Sequence, residues 1–339
     1  MKVFALFLIT LAVVSAAKMY DLQFTFTNEL GALADNEEYE GWVITSTGPV
    51  STGRFPGKAQ GTVVNMTVVL AAEINETNQF VLTIEPKEND DPAPSVHKFV
   101  SGTFNAAGTS VTVNTDAMWG ADFASNLGGP FILATPSSAD TTDDCMGIWM
   151  FDPAAADPKG INLPVAPAGF TYEGWVLNTA DTNAVPTSFG TFDDPNTADS
   201  DGAGPTAGNV TTGIPPYPGS DFINPALAID LCTDYRVIIS VEPKPDLNPA
   251  APFFLKPLYA DINGTMTGTG NPQQLKADVS QIPLFTVTAY LKAAEPVAPV
   301  AEPVAPVATL APVTTDAPST AFSMIASIFV VLAAIAALL

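Results

Sequence analysis

Histidine and cysteine are scarce in this chain. Its 339 residues include one histidine, His97, and two cysteines, Cys145 and Cys232. Two cysteines and one histidine form no zinc site of standard spacing. A nucleophile activated by His97 would need a supporting motif such as Gly-x-Ser-x-Gly, which the sequence lacks. We therefore expect His97 to be a partly exposed strand residue rather than a catalytic base.

Positive charge is also scarce. The chain has 12 Lys and Arg residues against 35 Asp and Glu residues, which gives a formal net charge of −23. Binding to nucleic acid depends on Lys and Arg side chains that neutralise phosphates, so we expect no nucleic-acid partner. The acidity favours solubility and attracts cations, although a solvated surface accounts for it equally well.

Long apolar runs occur only at the two ends. At the start, Lys2 precedes an apolar run at residues 3–14 and the small residues Ser-Ala-Ala. This order predicts a secretory signal peptide at residues 1–17, cleaved before Lys18, because the run is too short to span a bilayer. In the oxidising compartment that secretion implies, we expect Cys145 and Cys232 to form a disulfide rather than stay as free thiols.

The other end predicts attachment to a membrane. Residues 321–339 are almost wholly apolar, and no Lys or Arg follows them. Small residues precede this run, and Asp316 and Ser319 mark the region where a glycosylphosphatidylinositol (GPI) lipid would be attached. A retained apolar helix is the alternative. Residues 294–320 are Pro-rich and predict an extended stalk between the folded part and the anchor.

The middle of the chain contains an internal repeat of three landmarks in the same order. Tyr-Glu-Gly-Trp-Val, Ser-x-Gly-x-Phe and (Ile/Val)-Glu-Pro-Lys occur at residues 39–43, 51–55 and 84–87, and again at 172–176, 188–192 and 241–244. Such an ordered recurrence indicates a duplicated unit. Residues that both copies share are more simply explained by folding than by a single active site.

Each copy reads as short strands separated by Gly, Pro, Asn and Asp, without a helical period between the two ends. Strands are predicted at residues 21–27, 39–45, 62–70, 80–85, 96–104, 110–114, 130–135, 147–151, 172–178, 235–242, 253–262 and 284–290. This density predicts an all-β fold of two tandem β-sandwich domains, at residues 18–140 and 145–293. Immunoglobulin or fibronectin-like and jelly-roll topologies both remain open. Trp42 and Trp175 are expected in the sandwich cores.

The second copy carries an insertion between its second and third landmarks. Residues 193–221 are rich in Pro, Gly and Asp. An insertion of this length is more often a functional surface loop than an accident. Its carboxylates resemble part of a calcium-binding loop, although EF-hand spacing is absent: Asp193, Asp194, Asp199 and Asp201. Calcium is therefore the one cofactor we consider, with a solvated turn as the alternative, and specific contacts are expected within residues 193–222.

Paired carboxylates are the one route to an enzyme. A glycosidase needs two carboxyl groups across a cleft, and Glu40 with Glu85, or Glu173 with Glu242, would offer such a pair. Each pair occurs in both copies beside Gly or Pro, so a structural role at strand ends is the simpler interpretation. We therefore predict no enzymatic activity.

Several positions are candidates for contact with sugars. The sequons at Asn65, Asn75, Asn209 and Asn263 predict N-glycosylation in a eukaryotic host. Trp119 lies beside Met118 and offers an indole on which a sugar would stack. Local packing is the alternative for this indole and the one we favour.

The landmarks of the first copy combine into a longer pattern. Tyr39-x-x-Trp42 is followed by Pro-x-Ser-x-Gly-x-Phe within residues 49–55 and by Thr-Ile-Glu-Pro at 83–86, with Pro92, Pro94 and Gly102 beyond. This pattern resembles the extracytoplasmic C-terminal domain of anti-sigma-K type factors, and the second copy keeps most of it. The resemblance implies a β-rich outer domain without catalytic residues. Control of a sigma factor is not implied, because a signal peptide replaces that family's cytoplasmic zinc-binding module.

These patterns together predict a non-enzymatic cell-surface protein, exposed on the extracellular side and anchored to the membrane. Its duplicated β-sandwich ectodomain would serve extracellular binding, adhesion or the structure of a coat or matrix. The expected partners are an extracellular protein or glycan, and the membrane itself through the C-terminal anchor. Two alternatives remain open: a surface hydrolase that acts on carbohydrate through paired carboxylates, and a sensor ectodomain held by a membrane helix.

Overall fold

The computed structural model describes residues 17–121 and 123–293, which lie in one compact unit. The predicted signal peptide (apart from Ala17), stalk and C-terminal anchor lie outside the described residues, as do Asp316 and Ser319. Among the residues described, no helix has the length and apolar character needed to cross a bilayer.

The described residues are mostly β-strand, as predicted. The strands are β1 (Lys18–Phe26), β2 (Glu37–Thr45), β3 (Gly48–Phe55), β4 (Val63–Leu70), β5 (Gln79–Pro86), β6 (Lys98–Thr103), β7 (Ser110–Val113), β8 (Gly129–Phe131), β9 (Gly147–Trp149), β10 (Phe170–Asn178), β11 (Thr187–Phe192), β12 (Gly219–Asp221), β13 (Tyr235–Pro243), β14 (Leu258–Asp261), β15 (Gln273–Ala277) and β16 (Phe285–Leu291). The helices are short: α1 (Asp116–Trp119), α2 (Phe123–Asn126) and two 3₁₀ turns, Thr141–Met146 and Val279–Gln281.

The strands form antiparallel sheets. In the first half, the order β4-β1-β16-β7 makes one sheet and the order β3-β2-β5-β6 makes another. In the second half, six strands follow the order β11-β10-β13-β14-β15-β8, and β12 pairs with β9. The register around the repeated landmarks is the same in both copies, since Tyr39 lies opposite Ile84 and Tyr172 lies opposite Val241. The all-β prediction is therefore confirmed.

Two strands cross between the halves of the chain. The last strand, β16, lies between β1 and β7 of the first half. In the other direction, β8 of the first half pairs with β15 of the second half. The sequence repeat therefore does not coincide with separate sheets, because each half lends one strand to the other.

The apolar core continues across both halves. β1 alternates exposed or partly buried residues with buried ones, and its inward Phe24 packs edge-on against Phe80 at 5.4 Å between ring centroids. Further along, Phe99 of the first half lies 6.0 Å from Phe170 of the second half and 5.6 Å from Phe254. These contacts join the two copies into a single hydrophobic cluster. Because burial of aromatic surface is a main stabilising term, we expect the halves to unfold together.

Four strands were not expected from the sequence. β3 and β11 contain Gly, which is depleted in strands, and lack a run of alternating apolar residues, and β15 is largely polar. The fourth, β12, lies within the insertion of the second copy, which was expected to be loop. Two expected strands are also shorter than predicted, since β14 begins only at Leu258 and β8 ends at Phe131.

The end of the insertion is part of the folded structure. Asp221 of β12 is fully buried and accepts hydrogen bonds at 2.8 Å from the Ser137 amide and at 2.9 Å from the Trp149 indole N–H. Thr206 donates to the carbonyl of Asp221 at 2.8 Å. The expectation that residues 193–222 form a free contact loop is therefore wrong for this part, because buried polar groups tie it to β9 and the preceding segment.

Candidate functional site

The first two landmarks of the first copy and Thr83, the residue before the third landmark, meet in one hydrogen-bond network. The Trp42 indole N–H donates to the Thr83 hydroxyl at 2.8 Å, and that hydroxyl donates to the carbonyl of Glu40 at 3.3 Å. The Ser51 hydroxyl donates to the Glu40 carboxylate and accepts from the Gly53 amide at 3.1 Å. Each of these segments therefore contributes a group that another needs.

The second copy repeats this network with Ser240 in place of Thr83. The Trp175 indole N–H donates to the Ser240 hydroxyl at 2.8 Å, and that hydroxyl lies 3.4 Å from the carbonyl of Glu173 while it donates to the closer carboxylate of Glu242. The Ser188 hydroxyl donates to the Glu173 carboxylate at 2.5 Å and accepts from the Gly190 amide at 3.1 Å. The landmarks are thus spaced in sequence so that three strands satisfy one another's polar groups.

Backbone geometry explains the glycines of the landmarks. Gly53 and Gly190 have φ values of +104° and +108°, a region that residues with a Cβ rarely adopt. In the first copy, a methyl group on Gly41 of the first landmark would collide with the Thr52 hydroxyl and the Phe80 ring. In the second copy, a methyl on Gly174 would collide with the Phe189 ring. Glycine is therefore required at these places by packing and by conformation.

The two landmark tryptophans are buried, as expected, but on the strand face opposite to the main hydrophobic cluster. Both are buried, with 3% exposure for Trp42 and 1% for Trp175. Neither belongs to the hydrophobic clusters, because the inward side of the strand carries Tyr39 and Val43 instead. The period of two along a strand places Trp42 opposite to those residues. The indoles are therefore buried against the polar network, on the strand face opposite to Tyr39 and Val43 or to their counterparts in the second copy.

The glutamate of the third landmark holds the loop that follows its strand. Glu85 accepts a hydrogen bond from the Ser95 amide, and Glu242 accepts one from the Phe253 amide, both at 2.8 Å. Burial raises the pKa of Glu85, and it raises the pKa of Glu242 to about 7. These carboxylates therefore act as acceptors at strand ends, as the sequence suggested.

The copies differ in how the outer carboxylate is balanced. In the first copy, the Arg54 guanidinium donates to Glu40 at 2.8 Å and to the carbonyl of Pro86 at 2.8 Å, and it pairs with Asp90. The equivalent position in the second copy is Thr191, which carries no charge. Arg54 has no counterpart in the second copy, so the internal repeat gives no signal for it.

Without such a cation, the second copy accumulates negative charge. Burial raises the pKa of Glu173, and the nearby Asp246 and Asp201 raise it further. Asp199 accepts hydrogen bonds from the Gly219 amide at 2.7 Å and from the Asp201 amide at 3.1 Å. Burial, together with the neighbouring Asp201, raises the pKa of Asp199 to about 7.

The four predicted calcium ligands are only partly brought together. Asp199 and Asp201 are neighbours, whereas Asp193 forms an ion pair with Lys244 at 2.6 Å. Asp194 accepts from the amide of Asn196 at 2.9 Å, as in an ordinary turn. Calcium binding at this loop stays a prediction.

The predicted disulfide between Cys145 and Cys232 is confirmed. It joins the turn before β9 to the segment before β13, where the Leu231 amide also donates to the Cys145 carbonyl at 2.8 Å. Asp230 lies beside the two sulfurs, and these three residues form the one His, Cys, Asp or Glu cluster close enough to hold a metal within the described ranges. The sulfurs are bonded to each other, so this cluster is a structural link.

The remaining candidates are placed as follows. All four sequon asparagines are exposed, and Asn75 and Asn263 accept from the threonine hydroxyls two residues later, at 2.7 Å and 2.8 Å. Trp119 is 3% exposed and packs against Phe123, Phe170 and Tyr172. Its burial favours local packing over sugar stacking. His97 lies 2.7 Å from the carbonyl of Lys244 and touches none of the repeated carboxylates.

A cleft of about 300 Å³ lies where the two copies meet. One wall comes from residues 32–37 of the first copy, and the other comes from residues 242–256, which follow the third landmark of the second copy. Its polar lining includes Glu37, Glu242 and Lys256. Glu242 is the repeated carboxylate that lines this cleft.

Comparison with known families matches the first copy. Residues 9–98 match the profile described as anti-sigma-K factor RskA, C-terminal. No curated protein and no solved structure matches the chain. The predicted resemblance is thus confirmed over a span that contains all three landmarks of the first copy, and this region is similar to the C-terminal domain of anti-sigma-K factors.

Proposed function

We propose that the folded part is a non-enzymatic ectodomain that binds an extracellular protein or glycan. The observation that carries this proposal is the shared use of the repeated glutamates. Glu40, Glu85, Glu173 and Glu242 are only 5%, 1%, 6% and 1% exposed, and all four accept hydrogen bonds from neighbouring strands or loops. Buried carboxylates that hold the strands and loops of each copy in place are poorly placed to attack a polymeric substrate.

The position of the chain ends supports attachment at one edge of this ectodomain. β1 begins at Lys18, directly after the predicted signal peptide, and its neighbour β16 ends at Leu291, just before the predicted stalk. The Lys292 amide donates to the carbonyl of Met19 at 2.8 Å. We therefore place the membrane-proximal edge here, with the remaining loops available to partners.

The proposed contact region is narrower than the whole insertion. Residues 209 and 211–213 are exposed, whereas β12 and the residues it buries are structural. Replacing residues 211–213 by Ser-Gly-Gly, which keeps the sequon at Asn209, should leave the melting temperature unchanged and reduce binding to glycan arrays and to surface extracts. Deleting residues 193–221 should unfold the chain, because it removes the buried Asp221.

Location and anchoring are tested on intact cells. The proposal expects an external protease to digest the folded part, and a phospholipase specific for GPI lipids to release it. Release by protease alone would instead favour a retained membrane helix. Protection from both reagents in intact cells would contradict an extracellular location.

A surface hydrolase is the second candidate, because Glu242 lines a cleft and has a pKa of about 7. A general acid works best with a pKa in this range. Incubation of the wild type and Glu242→Gln with a panel of polysaccharides separates the two functions. We expect no release of reducing sugar from either; release by the wild type that the substitution abolishes would favour the enzyme.

A further inference from the structure

The cleft between the copies has a rigid apolar wall. Phe254 packs against the backbone of Gly31 and lies 5.6 Å from the Phe99 ring in the core. Phe253 packs against Phe254 at 4.6 Å, and Leu33 completes the apolar lining from the opposite side. Because these residues are fixed by core contacts, the cavity is part of the folded state rather than a gap between mobile loops.

Two charges of opposite sign face this cleft without an ion-pair partner. Lys256 is half-buried and forms no salt bridge within the described residues, although the carboxylate of Glu242 in the same cleft lies near enough to interact with its charge; burial lowers its pKa. Glu37 is also half-buried and forms no salt bridge with Lys or Arg within the described ranges; burial raises its pKa and outweighs the nearby His97 and the Ala34 amide, which favour its charged form. Asp246 adds a third charge at the rim.

Unpaired charges of this kind are unfavourable in a protein that has no use for them. Charged groups that leave water are normally paired or hydrogen-bonded, because desolvation of a lone charge costs free energy. Here an ammonium and carboxylates converge on one cavity that also offers aromatic and aliphatic walls. Apolar pockets with a few convergent polar groups are typical of small-molecule sites.

We propose that this cleft binds a free amino acid with an apolar side chain, in its zwitterionic form. Lys256 pairs with the ligand's carboxylate, Glu37 and Asp246 pair with its ammonium group, and the apolar wall receives its side chain. A ligand with one charge would leave the opposite charge of the protein unpaired. The volume of about 300 Å³ lies at the lower end for ligand pockets, which fits a single amino acid.

The inference rests on the proposed function in one respect, since it treats the folded part as a binder that leaves its ligand unchanged. It adds a small-molecule site that is distinct from the exposed residues 211–213. The ectodomain would then respond to a free amino acid as well as to a surface partner.

The first test varies the ligand and leaves the protein intact. Calorimetric titration of the purified full chain compares leucine and phenylalanine with leucinamide, which lacks the carboxylate, and N-acetylleucine, which lacks the ammonium. We expect saturable binding of both amino acids and roughly tenfold weaker binding of each analogue. Absence of saturable heat with both amino acids up to about 10 mM, or an analogue that binds as well as leucine, would overturn the proposal.

The second test varies the protein. Lys256→Met should weaken leucine binding roughly tenfold and leave leucinamide unaffected, whereas Glu37→Gln should weaken leucine and leave N-acetylleucine unaffected. The matched controls are Lys276→Met on β15 and Glu38→Gln on β2, because neither residue lines the cleft. Equal effects of Lys256→Met and Lys276→Met would overturn the assignment. If Lys256→Met fails to fold, the ligand analogues still decide.

The two proposals fail in different ways. Loss of the amino-acid site would leave binding of the surface partner through residues 211–213 intact. Failure of the proposed function would instead appear as hydrolysis of polysaccharide by the wild type, whatever the calorimetry shows.

Discussion

The two copies of the repeat contain the same hydrogen-bond network, but they differ in the charges that surround its glutamate. Both join an indole, a hydroxyl, a serine and a glutamate across three strands. The first copy balances its outer glutamate with Arg54, whereas the second copy has Thr191 at that position and several carboxylates nearby. The comparison teaches that the landmarks are what the fold requires, while the residues around them were free to diverge.

The largest difference between the copies should follow removal of Arg54. Arg54→Met leaves Glu40 buried without its cation and removes the bond to the Pro86 carbonyl. We expect a loss of roughly 3 kcal/mol in the free energy of unfolding, because breaking one side of a buried pair strands the other charge.

The matched control for Arg54 is Thr191→Met in the second copy. Urea titration of both variants measures the free energy of unfolding. Thr191 forms no ion pair, so we expect that free energy to change by less than about 0.5 kcal/mol for Thr191→Met. Equal destabilisation by the two substitutions would show that Arg54 does not balance Glu40.

The next effect concerns the pH dependence of stability. The pKa of Glu242 is about 7 in the folded chain, above its ordinary value, so the folded state binds the proton more tightly than the unfolded state. Stability from this group is fully present below about pH 4.5 and is lost as the pH rises through 7. Glu242→Gln keeps an oxygen that accepts from Ser240 and Phe253. We expect this variant to be more stable than the wild type at pH 8 by on the order of 2 kcal/mol.

The measurement for Glu242 is a set of urea titrations between pH 5 and pH 8. The difference between Glu242→Gln and the wild type should shrink steadily as the pH falls. A difference that does not change with pH would contradict the raised pKa of Glu242.

A smaller contrast separates the first tyrosines of the two copies. The Tyr39 hydroxyl donates to the carbonyl of Gly31 at 3.1 Å, whereas the Tyr172 hydroxyl is buried without a partner in the described residues. Tyr39→Phe should therefore cost about 1 kcal/mol, and Tyr172→Phe should be neutral or stabilising. Thermal unfolding of both variants checks the sign, and a larger loss at Tyr172 would reveal a partner for its hydroxyl.

The smallest expected effect is at Thr52, whose buried hydroxyl has no partner among the described residues. The second copy has Phe189 at this position. Thr52→Val removes the unsatisfied group with little change of shape, so we expect a gain of about 0.5–1 kcal/mol. A loss of stability on thermal unfolding would mean that the hydroxyl is used in the folded state.

The sequence was most informative where a local pattern decides the structure. Alternation along residues 21–26 predicted β1, and the Glu-Pro landmark predicted a glutamate at a strand end. The outward position of Trp42 was also readable, since Tyr39, Gly41 and Val43 share the opposite face.

Other features had no local signal. The insertion of β16 between β1 and β7 depends on which strands meet in space, and no pattern within either strand records this. β3 and β11 were missed because they contain Gly, which is depleted in strands, and lack a run of alternating apolar residues, although both contain a repeated landmark. The cleft between the copies joins Glu37 to Lys256, which are far apart in the chain, so only the fold brings them together.

The most direct measurement of the account compares Trp42→Phe with Trp175→Phe in urea titrations of the full chain. Each substitution deletes an indole N–H that satisfies a buried hydroxyl, on Thr83 or Ser240. If the landmarks serve folding in both copies, the two variants should lose similar stability, about 1–2 kcal/mol each. If either variant keeps full stability but loses ligand binding, the folding role of the landmarks is contradicted, because that landmark would then belong to a binding site.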